Sequence, residues 1–217
     1  MGDPTQLTDL SLDAFLERLG SSDPVPGGGS ASALAAAMGA ALIAMVAELT
    51  IGRPAYAEHE ETVRKLRFDA LERRAELLDL AQQDADAYDL VVRARHMPKE
   101  SEAERDARNA AISAATVAAT RAPLRVAVVA SEVLDLAERI APIGNRNAAS
   151  DAGVAALLAA AGLRGAVLNV RINLPYLPAA EPLRDSAPAS LDLLEALAAK
   201  GQATALAAVA KRLEATT

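Results

Sequence analysis

The chain has 217 residues, of which 52% are hydrophobic and 24% charged, and this suits one globular domain with a sizeable core. Its net charge of −7, from 22 basic and 29 acidic residues, together with an aromatic content of 2%, argues against a nucleic-acid partner, which needs basic patches and stacking platforms. With no cysteine there is no disulfide or thiol chemistry, which is compatible with a reducing, cytoplasmic compartment.

The N-terminal MGDPTQLTDLSLD lacks the basic and apolar regions of a signal peptide. In SLDAFLERLG, Leu12, Phe15, Leu16 and Leu19 share a helical face and Gly20 supplies a stop. PGGGS follows, and Ser30 is expected to cap a helix from Ala31 to about Thr50. Ala31 to Ala47 carries no charge, but it is short of the ~20 residues of a membrane span. A buried, alanine-rich central helix is expected instead, with no membrane partner. Gly52 ends it, and Pro54 opens a helical stretch reaching about Arg95 and stopped by Pro98.

Ser101 and Glu104 form a capping box for a helix expected to end before Pro123, with another from Pro123 to about Ala141. IGNRNAAS leads into a helix from about Asp151 to Leu174, PYLPAAEP breaks the chain, and a last helix fills Ser190 to Leu213. No stretch alternates long enough to compel a strand. The fold expected is all-α: one multihelical bundle over residues 1–217, with its core at about 10–213.

Chemistry shows where polar groups fall on faces that packing wants apolar. In LLDLAQQDADAYDLVVRA, Asp84 lies in line with Leu77, Leu80, Ala81, Ala87, Tyr88 and Val91, whereas Asp86 falls on the solvated face. A carboxylate on a buried stripe finds a partner or shifts its pKa, so Asp84 is either a site residue or the acid of a core ion pair. Asn169 and Asn173 in NVRIN share a face, and two such amides either read a ligand or fasten two helices. In GNRNAASD, Asn145, Arg146, Asn147, Ser150 and Asp151 crowd a helix start, more than capping alone uses. Three glycines, Gly27, Gly28 and Gly29, either turn the chain or let something approach its backbone. Lys99 stands just after a helix stop, beside these candidates. His59 and His96 stand apart, and no Gly-Lys-Ser/Thr follows the glycines, so neither a metal site nor a nucleotide loop is expected.

Taken together, PGGGSASALAAAMGAALIAMVAELT, DADAY, MPK, APL, GNRNAASDAGVAA and NVRIN resemble, in order and spacing, the cyclodeaminase/cyclohydrolase family. That family includes the C-terminal domain of formimidoyltransferase-cyclodeaminase and stand-alone bacterial methenyltetrahydrofolate cyclohydrolases. The resemblance implies a helical fold that dimerises and chemistry at the one-carbon unit between N5 and N10 of tetrahydrofolate, the folate being substrate and no cofactor being tightly bound. It implies Asp84 as the acid, and Gly27, Gly28, Gly29, Ser30, Lys99, Asn145, Asp151, Asn169 and Asn173 as substrate-binding. One departure is Ala122 ahead of Pro123, where relatives often carry valine; it touches packing alone. With no formimidoyltransferase domain ahead of it in this sequence, cyclohydrolysis and cyclodeamination both stay open, and a non-catalytic helical module is the rival reading. Apolar residues surround both the Ala31–Ala47 helix and the helix from Asp151, and this predicts a homodimer that covers a face of each.

Overall fold

A computed structural model describes residues 6–214; the first five residues of the N-terminal stretch read above lie outside the described residues. Among those described there are six α-helices and no strand: α1 (Leu12–Leu19), α2 (Gly28–Glu48), α3 (Glu60–Arg95), α4 (Glu102–Ile140), α5 (Ala149–Asn173) and α6 (Leu183–Glu214). Helix α2 packs against both α3 and α5, α4 closes the bundle opposite it, and α6 lies along α4 and α5.

The core is built from alanine, valine and leucine, because small side chains let helix axes come close. At the α2–α5 contact a Cβ on Gly39 would lie 2.8 Å from the Ala155 carbonyl oxygen, and one on Gly162 would lie 2.6 Å from that of Ser32. Helix α6 presents Ala187, Leu191, Leu194, Ala198, Gly201, Ala205 and Val209, a continuous stripe at helical spacing, to the same core.

Several sequence expectations are corrected. Helix α2 begins at Gly28 with Gly27 as its N-cap, so Ser30 lies inside the first turn, buried, and caps nothing. At 21 residues α2 is also long and apolar enough to cross a membrane, as α4, α5 and α6 are by length and composition, but 61% of its apolar window is buried in the bundle. The stretch from Pro54 opens as a 3-10 turn, Pro54–His59, before α3. Of the α1 stripe only Phe15 is buried, while Leu12 and Leu16 stay exposed.

Pro123 does not divide two helices; α4 runs through it for 39 residues. A proline inside a helix leaves the carbonyl four residues back without its N–H donor. Here that carbonyl is Ala119's, and the Asn173 side-chain amide donates to it at 2.8 Å. Pro188 likewise sits inside α6, which starts at Leu183 rather than Ser190; in the second turn it forfeits only one ladder bond. The capping box forms as expected, with the Ser101 hydroxyl accepting from the Glu104 N–H at 3.2 Å and the Glu104 carboxylate accepting from the Ser101 N–H at 2.8 Å.

Candidate active site

The start of α2, the middle of α3 and the end of α5 enclose a cleft of about 410 Å³, with Gly27, Gly28, Gly29, Asp84, Asn169 and Asn173 in its wall. Six of the residues singled out in the sequence therefore meet, although they come from three separate helices or their caps.

The glycines are explained by what they face. A Cβ on Gly29 would lie 2.2 Å from Asp84 Oδ1 and 2.4 Å from its Cγ, and one on Gly28 would lie 3.3 Å from Asn169 Nδ2. Gly27 has nothing within 4 Å. The first turn of a helix carries amides with no partner inside the helix, and its positive dipole end favours an anion. At α2 that anion is Asp84 itself, whose ionised form the Ser30 backbone N–H favours. The Ser30 hydroxyl lies 2.9 Å from the Ala81 carbonyl and 3.3 Å from Asp84 Oδ2, so its single proton is shared between them.

Asp84 is half-buried, and among the described residues no arginine or lysine pairs with it, which removes the core ion-pair alternative. Burial pushes its carboxyl above the ordinary aspartate range; the Ser30 hydroxyl and N–H oppose this without cancelling it. Asp86, two residues on, is exposed and accepts from the Gln82 amide at 2.8 Å, while the Gln82 carbonyl accepts from the Leu7 N–H. The helical-face reading thus separated two neighbouring aspartates correctly.

Asn169 donates from Nδ2 to the Gly165 carbonyl one turn back, at 2.8 Å. Its Oδ1 has no hydrogen-bond donor among the described residues, although the side chain borders the cleft. Asn173, spent on Ala119, is chiefly a fastener that also borders the cleft.

Lys99, Asn145 and Asp151 are not in this cleft within one chain. Lys99 is exposed in the α3–α4 connection, where its carbonyl accepts from Arg105. Asn145 lies at the opposite end of α2, about 30 Å away at 1.5 Å per residue. There its Nδ2 donates to the Leu49 carbonyl, its Oδ1 accepts from the Asn147 N–H and its own N–H donates to the Thr50 hydroxyl. Capping and fastening account for Asn145 completely. Asp151 is in the first turn of α5, where an acid suits the dipole.

Sequence reasoning placed Tyr88 on the Asp84 stripe but gave it no role, and it left out Arg95, Thr116 and Tyr176, which also line the cleft. Arg95 follows Asp84, Tyr88 and Val91 on their stripe, eleven residues after Asp84, so helical periodicity alone would have placed it beside them. A larger hollow of about 580 Å³ among α3, α4 and α6 is lined by more acids than bases, and both of its arginines are already paired: Arg73 with Glu132 at 2.9 Å, and Arg139 with Asp135 at 3.5 Å. Its Glu138 carboxyl is pushed up by burial and by Asp135. Among the described residues no cluster of three metal-ligating side chains forms.

Residues 11–187 match the formiminotransferase-cyclodeaminase family. The chain belongs to that family of enzymes. It is 45% identical over 163 residues to the methenyltetrahydrofolate cyclohydrolase of Methylorubrum extorquens, covering 75% of this chain and 78% of that protein. It is 36% identical over 173 residues to the formimidoyltransferase-cyclodeaminase of Rattus norvegicus, of which it spans only 32%. The crystal structure of formiminotetrahydrofolate cyclodeaminase from Thermotoga maritima superposes with a TM-score of 0.82 at 30% identity, over 97% of this chain and 98% of that one. These relatives favour the catalytic reading over the non-catalytic module.

Proposed function

We propose that this chain acts at the N5–N10 bridge of tetrahydrofolate, chiefly by hydrolysing 5,10-methenyltetrahydrofolate to 10-formyltetrahydrofolate, with Asp84 as the general acid and base. The observation that carries this is a carboxyl that pairs with no cation among the described residues, anchored by Ser30 at a glycine-lined cleft. The methenyl carbon is electron-poor and shares a positive charge with N5 and N10, so a nearby carboxylate stabilises it and orients water toward it. As the C–O bond forms, Asp84 takes the water's proton. It then returns that proton to N5 as the C–N5 bond breaks, and the hydroxyl's remaining proton leaves to solvent as the C=O of the N10 formyl group forms.

Cyclodeamination is the second reading, favoured by the burial that raises Asp84. There N10 attacks the formimidoyl carbon on N5, and the amino group must leave as ammonia. Protonation by a carboxylic acid makes that departure possible, and a raised pKa keeps the acid form present at higher pH. Neither reaction calls for a cofactor beyond the folate.

We further propose a cytoplasmic homodimer. In α2 and its C-cap, Met38, Met45 and Leu49 remain exposed, and in α5 Val154, Leu157 and Leu168 do, two apolar stripes on adjacent helices. A second copy covering them would bury on the order of 2,000 Å². Light scattering at micromolar concentration checks this, and an active monomer of 22.4 kDa would contradict it.

The functional test is spectroscopic, because methenyltetrahydrofolate absorbs in the near ultraviolet and its hydrolysis product does not. Purified protein should bleach that band, and with 5-formimidoyltetrahydrofolate the band should grow. Failure with both substrates would overturn the proposal.

A further inference from the structure

The cleft carries one anionic and one cationic side chain among the described residues lining it, Asp84 and Arg95. Both belong to α3, eleven residues apart, which is three turns of one helix face and about 16 Å along the axis. Tyr88 and Val91 fill the same face between them.

The charge pattern decides which part of a substrate goes where. The amides at the start of α2 offer themselves to an anion, but Asp84 already occupies that place, with Ser30 donating to it. A second carboxylate would meet like charge there, while the cationic methenyl carbon meets opposite charge. Arg95 is in the reverse situation. Its guanidinium makes no hydrogen bond or ion pair among the described residues, while its main-chain carbonyl accepts from Arg108 at 3.2 and 3.3 Å. Helical side chains lean toward the helix N-terminus, so Arg95 leans back along the stripe toward Tyr88.

The walls between the two charges suit an arene. Tyr88 is 44% exposed, and across from it Ile172 and Tyr176, from the end of α5 and the turn after it, are each 68% exposed. The chain has only three tyrosines, and two of them border this one cleft. A ligand with a cationic ring system at one end, a flat aryl group in the middle and a carboxylate at the far end matches that order.

Resting on the folate reading above, we infer that Arg95 is the specificity residue for the substrate's glutamyl tail: its guanidinium takes the tail carboxylate at the mouth of the cleft, while the aminobenzoyl ring lies against Tyr88 and the one-carbon bridge meets Asp84. A guanidinium accommodates a carboxylate through two parallel N–H donors, which a lysine reproduces only in part. Arg95 takes no part in proton transfer. It fixes which way round the substrate enters.

The test pairs two substrates with two variants. Wild-type protein is assayed on 5,10-methenyltetrahydrofolate and on 5,10-methenyltetrahydropteroate, the same compound without glutamate, by loss of the near-ultraviolet band. The wild type should prefer the tailed substrate in kcat/KM by about 10- to 100-fold, the range of one charge-assisted hydrogen-bonded contact. Arg95→Gln should lose that preference, by a rise in KM with little change in kcat, and should turn over the tail-less compound as the wild type does. Arg95→Lys should recover part of the preference. A purely structural role would lower turnover of both compounds alike, and that result would overturn the assignment. Equal handling of both compounds by the wild type, or an unchanged preference in Arg95→Gln, would overturn it too while leaving the bridge chemistry of Asp84 intact. No turnover of either compound by the wild type would instead bring down the functional reading and this inference with it.

Discussion

Polar residues gather at both ends of α2, and they do different work. At the Leu49 end, Asn145 is 4% exposed and every polar group on it has a partner inside the protein. At the Gly28 end, Asp84 and Asn169 are each held by one side of the group and face the cleft with capacity left over. Crowding of polar residues does not mark a site. Hydrogen-bonding capacity left unfilled beside open volume does, because a buried polar group without any partner costs about 1–3 kcal/mol and is kept only where something else satisfies it.

That contrast is open to breakage. The largest effect is expected from Asp84→Asn, which keeps the shape and removes the proton: turnover should fall about 10²-fold or more with the melting temperature retained. Next comes Gly29→Ala. Its new methyl would collide with the Asp84 carboxyl, which has to rotate away, so turnover should fall about 10- to 100-fold in protein that still folds. Gly27→Ala meets nothing within 4 Å and should change neither turnover nor stability. If the two glycine variants behave alike, the account of the glycines is wrong.

At the other end the signs reverse. Asn145→Ala orphans the Leu49 carbonyl and the Asn147 N–H, and should cost about 1–3 kcal/mol in denaturant unfolding while kcat per folded molecule stays unchanged. A loss of kcat at full stability would mean that Asn145 reaches a substrate after all, for instance across a dimer. The smallest effect belongs to Asp86→Asn, exposed and bonded only to Gln82, which should be nearly silent in both assays. A large loss of turnover there would overturn the assignment of the two helix faces.

Stability should also depend on pH through Asp84. Its folded pKa is raised, so between the unfolded value and the raised one the folded chain holds more protons, and stability falls as pH rises through that window. Asp84→Asn removes the window. It should therefore match or exceed the wild type in chemical denaturation at neutral pH and lose that advantage at acid pH.

What the sequence disclosed follows from the range over which each effect acts. Helical periodicity separates Asp84 from Asp86 because both belong to one helix. It would have found Arg95 in the same way, had the stripe been continued beyond Val91. The reason for Gly29 was out of reach, because the group that excludes a Cβ is Asp84, on another helix. Pro123 misled for the same reason. A proline inside a helix is tolerated when its orphaned carbonyl finds another donor, and that donor, Asn173, comes from 54 residues beyond Ala119. The residues of GNRNAASD seemed too many for capping alone because the tie from Asn145 to Leu49 and Thr50 joins distant parts of the chain.

The claim that one carboxyl, Asp84, serves as acid and base is tested most directly by the pH dependence of kcat/KM, measured on both substrates with wild type and Asp84→Asn. The account predicts one ionisation in the free enzyme, displaced above the ordinary aspartate range. Hydrolysis of the methenyl compound should rise with pH through it, where Asp84 must be a base. Cyclodeamination should fall through the same ionisation, where Asp84 must be an acid. The residual rate of Asp84→Asn should show neither limb. Limbs that persist unchanged in Asp84→Asn would contradict the account, since the titrating group would then be some other residue.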